Sequence, residues 1–282
     1  MAGTIQDAGS IEDDDPAPVT PGRGELDTAV IHQIEHLSPP IWLWRRVVGA
    51  CYAFIVVVFA WYLLKLPPGL ISDAVLPTLT QVSSGFHELR LEGVAGATLG
   101  GHLMATLGRL AVGTGFGLIL GAVAGWMSAA VPLIRTVVDP VAAGLRMIPG
   151  LILGPLVVAW LGAGELAIVV VIGLAVAWTS AVAASDSRAE RLRAAVIGPD
   201  VGLAVWLARA RSTLLVAWTT VLTVETVLAS TGLGAMVWFA QTRIDLAVAG
   251  MIVAGLIGFG ADTVLRGAFY LVAWSQSPHR VR

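Results

Sequence analysis

Apolar residues fill this chain in long blocks, without the alternating or 3.6-residue periodicity of a half-exposed strand or helix. Six blocks, at about 47–64, 103–128, 150–163, 166–184, 212–229 and 246–272, come near the roughly 20 residues a helix needs to cross a bilayer, the third being short. This pattern predicts an all-α, polytopic membrane helix bundle of about six transmembrane helices within residues 41–275. Residues 66–101 begin at Pro67-Pro68 and have a mixed middle, which predicts an external loop with one short surface helix. Residues 128–149 and the strongly basic 185–211 are predicted on the opposite, cytoplasmic side. No internal repeat is visible, so an inverted-repeat transporter finds no support.

Residues 1–40 are of another kind. They carry the acidic run Glu12, Asp13, Asp14, Asp15 and then Pro16, Pro18 and Pro21, without apolar periodicity, and read as a disordered acidic cytoplasmic tail. Residues 276–282 read as a short cytoplasmic tail. Outside the blocks, one side holds Arg23, Arg45, Arg46, Arg135, Arg146, Arg188, Arg191, Arg193, Arg209, Arg211, Arg280 and Arg282, and the other holds Lys65, Arg90 and Arg243. That bias predicts a multi-pass protein of a bacterial inner membrane with both termini in the cytoplasm. Trp42, Trp44, Trp61, Trp126, Trp160, Trp238 and Trp274 fall near the block ends, as an aromatic belt does.

The composition agrees: 56% apolar, 13% charged, with a mean hydropathy of +0.82, values of a protein with several spans. Scattered basic residues and a formal net charge of -2 offer nucleic acid no binding face. Cys51 is the single cysteine, which excludes an internal disulfide or a cysteine metal cage. His32 and His36 have no third ligand nearby, so no metal site is expected. Lys65 is the single lysine, and it precedes Leu66 with no glycines upstream, so the chain has no Walker loop. No zinc-protease, nucleophile-elbow or paired-carboxylate pattern is present, and the chain reads as no enzyme, with no catalytic residue and no cofactor of its own.

Three constellations remain. Gly113, Gly117, Gly121 and Gly125 recur every four residues and expose backbone along one helix face, for an internal packing seam or for a subunit interface. Asp262 and Arg266 lie one turn apart in the sixth block and can pair there. Glu225 has no partner at helical spacing, which leaves a pathway, a gate or an interhelical hydrogen bond. Arg109 falls near the outer end of the second block, where it could snorkel outward or cap neighbouring carbonyls, as a structural anchor. Met147, Trp178, Trp218 and Glu225, large or polar residues in or beside central blocks, are candidates for a translocation path or gate.

Several short pieces occur in a fixed order: Thr106-Leu107-Gly108-Arg109-Leu110, Gly113, Gly115-Phe116, Asp139-Pro140, Arg146-Met147-Ile148-Pro149, Trp160-Leu161-Gly162-Ala163-Gly164-Glu165 and Thr231-Gly232-Leu233-Gly234. Together they resemble the permease subunits of taurine, nitrate and sulfonate-type ABC importers, over about residues 41–275. The resemblance implies a binding-protein-dependent, type I importer fold. It also implies that permeases pair in the lipid membrane, that two cytoplasmic ATPase subunits bind ATP and Mg below them, and that an extracytoplasmic solute-binding protein delivers a small, usually anionic, solute.

The chain departs from that family between its fourth and fifth blocks, where a Glu-Ala-Ala coupling loop is expected. Setting Arg211 on a family arginine leaves residues 185–198 too short, and Arg188, Glu190, Arg191 and Arg193 are the remnant. A reduced coupling surface transmits less of an ATPase's closure. The expectation is therefore a degenerate half of a heteromeric pair, whose partner carries the intact coupling helix. A scaffold or regulatory subunit without ATP coupling, and a proton-coupled carrier using Glu225 or the Asp262 and Arg266 pair, are the alternatives.

Overall fold

The structure is a computed structural model. It describes the backbone of residues 39–66, 71–197 and 199–276, and within these the side chains other than those of 39, 40, 42, 184–204 and 273–276. The expected tails at 1–38 and 277–282, with His32 and His36, lie outside the described residues.

Nine helices run in the order α1 Pro39–Lys65, α2 Leu79–Leu91, α3 Leu99–Ala130, α4 Pro132–Leu145, α5 Gly150–Leu161, α6 Glu165–Ile197, α7 Pro199–Leu228, α8 Leu233–Phe239 and α9 Ile244–Gln276 among the described residues. Four helices are long and apolar enough to cross a membrane, and the count reaches six if the bent pairs α4 with α5 and α7 with α8 each make one span. The short helix expected between the first two blocks is α2. Thr78 caps it through a reciprocal pair, with Gln81 N–H donating to Thr78 Oγ1 at 3.3 Å and Thr78 N–H donating to Gln81 Oε1 at 2.7 Å.

The third block forms one short helix, α5, over most of its expected 150–163. The stretch 128–149 before it is largely helix α4, which meets α5 at 106° around residues 146–149. Pro149 opens α5, and Pro140 and Pro155 each remove a backbone donor inside α4 and α5. The basic stretch 185–211 is helical on both sides of residue 198, with α6 continuing to Ile197 and α7 beginning at Pro199. The coupling-loop remnant of Arg188, Glu190, Arg191 and Arg193 has its side chains outside the described ones.

The glycine repeat on α3 faces α6 of the same chain, and these two helices form the longest seam in the bundle. A Cβ on Gly113 would fall 2.7 Å from Ile172 Cβ, and one on Gly117 would fall 2.6 Å from Val176 Cβ. On Gly121 it would come within 2.8 Å of the Ala177 carbonyl oxygen. Gly125 is buried on the same stripe. Missing side chains let the two backbones touch, which in lipid is the main source of helix association. The apolar core then gathers Leu89, Ile168, Val171, Ile172, Val221, Val224, Leu233 and Met236 from α2, α6, α7 and α8. By contrast α1 is largely uncovered, although Trp61 near its end packs against this core.

Candidate functional site

The first cluster of polar groups is buried where α3, α6, α7 and α8 converge. Arg109 on α3 is 5% exposed, and Glu225 on α7 is fully buried. Arg109 Nη1 donates to Glu225 Oε1 at 2.9 Å and to the Thr231 carbonyl, while Nε and Nη2 take both oxygens of Glu165 at 2.7 and 2.5 Å. Thr106 Oγ1 donates to Glu225 Oε2 at 2.9 Å. The loop into α8 supplies the remaining donors. Gly232 N–H reaches His102 Nδ1 at 3.0 Å, Leu233 N–H reaches Thr106 Oγ1 at 2.7 Å, and Gly234 N–H reaches Glu225 Oε2 at 3.0 Å.

Helix starts leave backbone donors unpaired, and here side chains of α3 and α7 accept them in place of a local cap. His102 must therefore carry its proton on Nε2, which donates to the Val94 carbonyl at 2.8 Å. Gly232, at φ 122°, has no room for a side chain because a Cβ would strike the Glu225 carboxyl group. The cluster chooses among the alternatives: Arg109 turns inward and caps the Thr231 carbonyl rather than snorkelling, and Glu225 makes interhelical hydrogen bonds, a correction to its place among the path candidates.

Trp218 needs the same correction: it is 9% exposed, packed in the core with its ring against Gly258. Trp178 is half-buried on α6, and its Nε1 finds no acceptor among the described residues. Met147 is different. It is 78% exposed at the break between α4 and α5.

The level of that break follows from α7. Gly150, the first residue of α5, packs on Thr220, which lies five residues from Glu225 and nine from Arg211, about 8 and 13 Å along the helix axis. The non-helical turn at 146–149 therefore lies alongside α7, between the levels of Arg211 and Glu225. Irregular backbone inside a membrane is tolerated only within protein or beside water. Arg146 at this turn is exposed, and its side chain has no acceptor among the described residues.

The uncovered face of α7 runs past this level. Ser212, Leu215, Thr219, Thr223 and Val227, spaced three or four apart, are all exposed, whereas Ala217, Val221, Val224 and Glu225 point into the bundle. Thr219 and Thr223 donate to the carbonyls of Leu215 and Thr219 at 2.8 Å each, which leaves oxygen lone pairs facing outward. The uncovered positions of α1 and α5 are by contrast mainly apolar. Arg146 and Met147 at the break are thus exposed, as is this hydroxyl-bearing stripe of α7.

Two further charge clusters mark the ends of the bundle. Asp262 pairs with Arg266 at 3.0 Å as the spacing predicts, but also with Arg211 at 2.7 Å and Arg46 at 2.5 Å, which the sequence reading missed. Where the segment before α2 meets the start of α9, a cavity of about 400 Å³ is lined by Asp73, Gln81, Gln241, Arg243 and Asp245, among others. Hydrogen bonding from Lys65 holds the Asp73 carboxyl below its ordinary range, and the hydrogen bonds of Arg243 to Asp245 and Glu88 push its guanidinium further up. Among the described residues no three metal-ligating side chains gather.

One signal for the buried cluster was present in the sequence. Three of the ordered pieces, around Thr106 to Arg109, Glu165, and Thr231 to Gly234, meet in it. No protein-family model matches the chain. The taurine transport system permease protein TauC of Escherichia coli (strain K12) is 30% identical over 193 residues, 62% of this chain and 70% of that protein. The putative aliphatic sulfonates transport permease protein SsuC of Bacillus subtilis (strain 168) is 34% identical over 110 residues, 38% of this chain and 37% of that protein.

Proposed function

The chain belongs to the taurine and sulfonate type of ABC-transporter permeases, and on that premise we propose that it is the membrane subunit of an ATP-driven importer for a small anion of the organosulfonate class. The observation that carries this reading is the break between α4 and α5. There Arg146, exposed and without an acceptor among the described residues, and Met147 precede Gly150, which packs on Thr220 of α7, the helix whose Thr219 and Thr223 are exposed. A guanidinium offers a sulfonate paired hydrogen bonds, and hydroxyl oxygens keep such a groove wet. Glu225 and Trp218 support the groove from behind as scaffold.

Since the uncovered stripe is half of a channel, a second permease closes it. ATP and Mg are bound by two cytoplasmic ATPase subunits, and an extracytoplasmic solute-binding protein docks on the outer charged face. Both termini are cytoplasmic. This chain is the degenerate member of a heteromeric pair: α6 and α7 leave only Gly198 between them, which supports the absence of a separate coupling helix.

The test is affinity purification of the tagged chain in mild detergent, followed by reconstitution and uptake of labelled taurine and ethanesulfonate. A different permease recovered with ATPase chains, and uptake that requires ATP, support the proposal. Homodimers bound to ATPase remove the heteromer; a chain without ATPase, or uptake driven by a proton gradient, removes the importer reading.

A further inference from the structure

Asp262 on α9 gathers arginines from three helices. Its Oδ2 accepts from Arg46 Nη2 of α1 at 2.5 Å and from Arg266 Nε at 3.0 Å, and its Oδ1 accepts from Arg211 Nε of α7 at 2.7 Å. Arg46 also donates from Nε to Thr263 Oγ1 at 2.9 Å and lies 4.9 Å above the Phe259 ring. Three guanidinium charges against one carboxylate leave the cluster positive. The Nη nitrogens of Arg211 and Arg266 have no acceptor among the described residues, and both side chains are partly exposed, at 39% and 29%. Excess charge at the edge of hydrocarbon is costly unless an anion meets it.

The cluster lies at the depth where phosphates sit. Arg46 is nineteen residues from Lys65 along α1, and Arg211 fourteen from Glu225 along α7, about 29 and 21 Å. These lengths cover most of a hydrocarbon layer of about 30 Å. Arg45 and Arg209 stand at the same level. The flank of the site is apolar and uncovered: Leu256 and Phe259 on α9 are exposed toward the bilayer centre, as is most of α1.

We propose that Arg46, Arg211 and Arg266 bind the phosphate of an anionic phospholipid, with its acyl chains along Leu256 and Phe259 and Asp262 holding the three guanidiniums in place. Basic recesses between helices recognise anionic headgroups by this chemistry, and the free guanidinium edges suit a phosphate. The site is separate from the proposed translocation groove and independent of the transported solute.

The experiment uses the full chain in its assembled complex, delipidated in detergent and titrated with dioleoylphosphatidylglycerol or dioleoylphosphatidylcholine, with retained lipid read by native mass spectrometry. Phosphatidylglycerol is expected to be retained selectively. Arg211→Gln and Arg266→Gln each lower its affinity about fivefold, the worth of one basic residue near a headgroup. Equal retention of both lipids, or unchanged affinity in the double variant, overturns the proposal. So does full competition by millimolar inorganic phosphate, which assigns a free-anion site, or displacement by added ATPase subunits, which assigns a protein contact. If the double variant fails to assemble, salt decides on the wild-type chain: phosphatidylglycerol retention falls as NaCl rises, and salt-independent retention overturns the assignment.

Discussion

Arg109 and Glu225 stand 116 residues apart in sequence and 2.9 Å apart in space, and both are shielded from solvent. Removing one member of such a pair leaves the other charge buried without compensation. Arg109→Met is expected to destabilise the bundle by about 3–5 kcal/mol. Glu225→Gln keeps the shape and an oxygen for Gly234 N–H, so its cost is smaller. Thermal unfolding of both variants in detergent checks the order, and an unchanged melting temperature for Arg109→Met contradicts the assignment of this pair as the bundle's polar lock.

The glycines divide into those that backbones press upon and those that face space. Gly117→Ala forces the α3 and α6 seam apart, at a cost of about 1–3 kcal/mol. Gly232→Ala adds a clash with Glu225 and an unfavourable φ of 122°. Gly108, which has nothing within 4 Å of a built Cβ, is the control, and Gly108→Ala in the same helix is expected to be neutral or stabilising by up to about 1 kcal/mol. Equal behaviour of Gly108→Ala and Gly117→Ala in thermal unfolding contradicts the seam.

Transport variants separate the open face of α7 from its buried face. Arg146→Gln is expected to weaken uptake of the anion about tenfold or more, the worth of a charge-assisted hydrogen bond. Thr219→Leu and Thr223→Leu lower uptake while the melting temperature of the complex stays near wild type. Uptake at wild-type rates in all three variants removes this face from the path.

The peripheral helix α1 is tied to α9 through Arg46, which bonds Asp262 and Thr263. Cys51, the single cysteine, is exposed on α1 and takes a spin label without further engineering. Arg46→Ala is expected to raise the mobility of a label at Cys51. An unaltered spectrum shows that α1 is seated without Arg46.

The segments that cross the membrane and the short helix α2 were legible because each depends on composition within a window. The Asp262 and Arg266 pair was legible because it lies on one helix at a fixed spacing. Helical periodicity also separates Ser212, Leu215, Thr219, Thr223 and Val227 from Ala217, Trp218, Val221 and Glu225 on α7. It does not say which side is covered, and for that reason Trp218 and Glu225 were taken as path residues. The partners of Glu225, Arg109 and Arg211 come from other helices, and no local rule supplies them.

By itself, then, the sequence determined that this chain is an all-helical membrane permease, since apolar block length and residue order are properties of the chain. Tertiary structure alone decided that α4 and α5 meet at a sharp bend at 146–149, that Glu225 is locked to Arg109, and that the hydroxyl stripe of α7 stays uncovered. The physical reason is that lipid is as apolar as the bundle's interior. Hydrophobicity drives a segment into the membrane, but only steric fit and polar pairing between distant helices choose which of its faces meets protein.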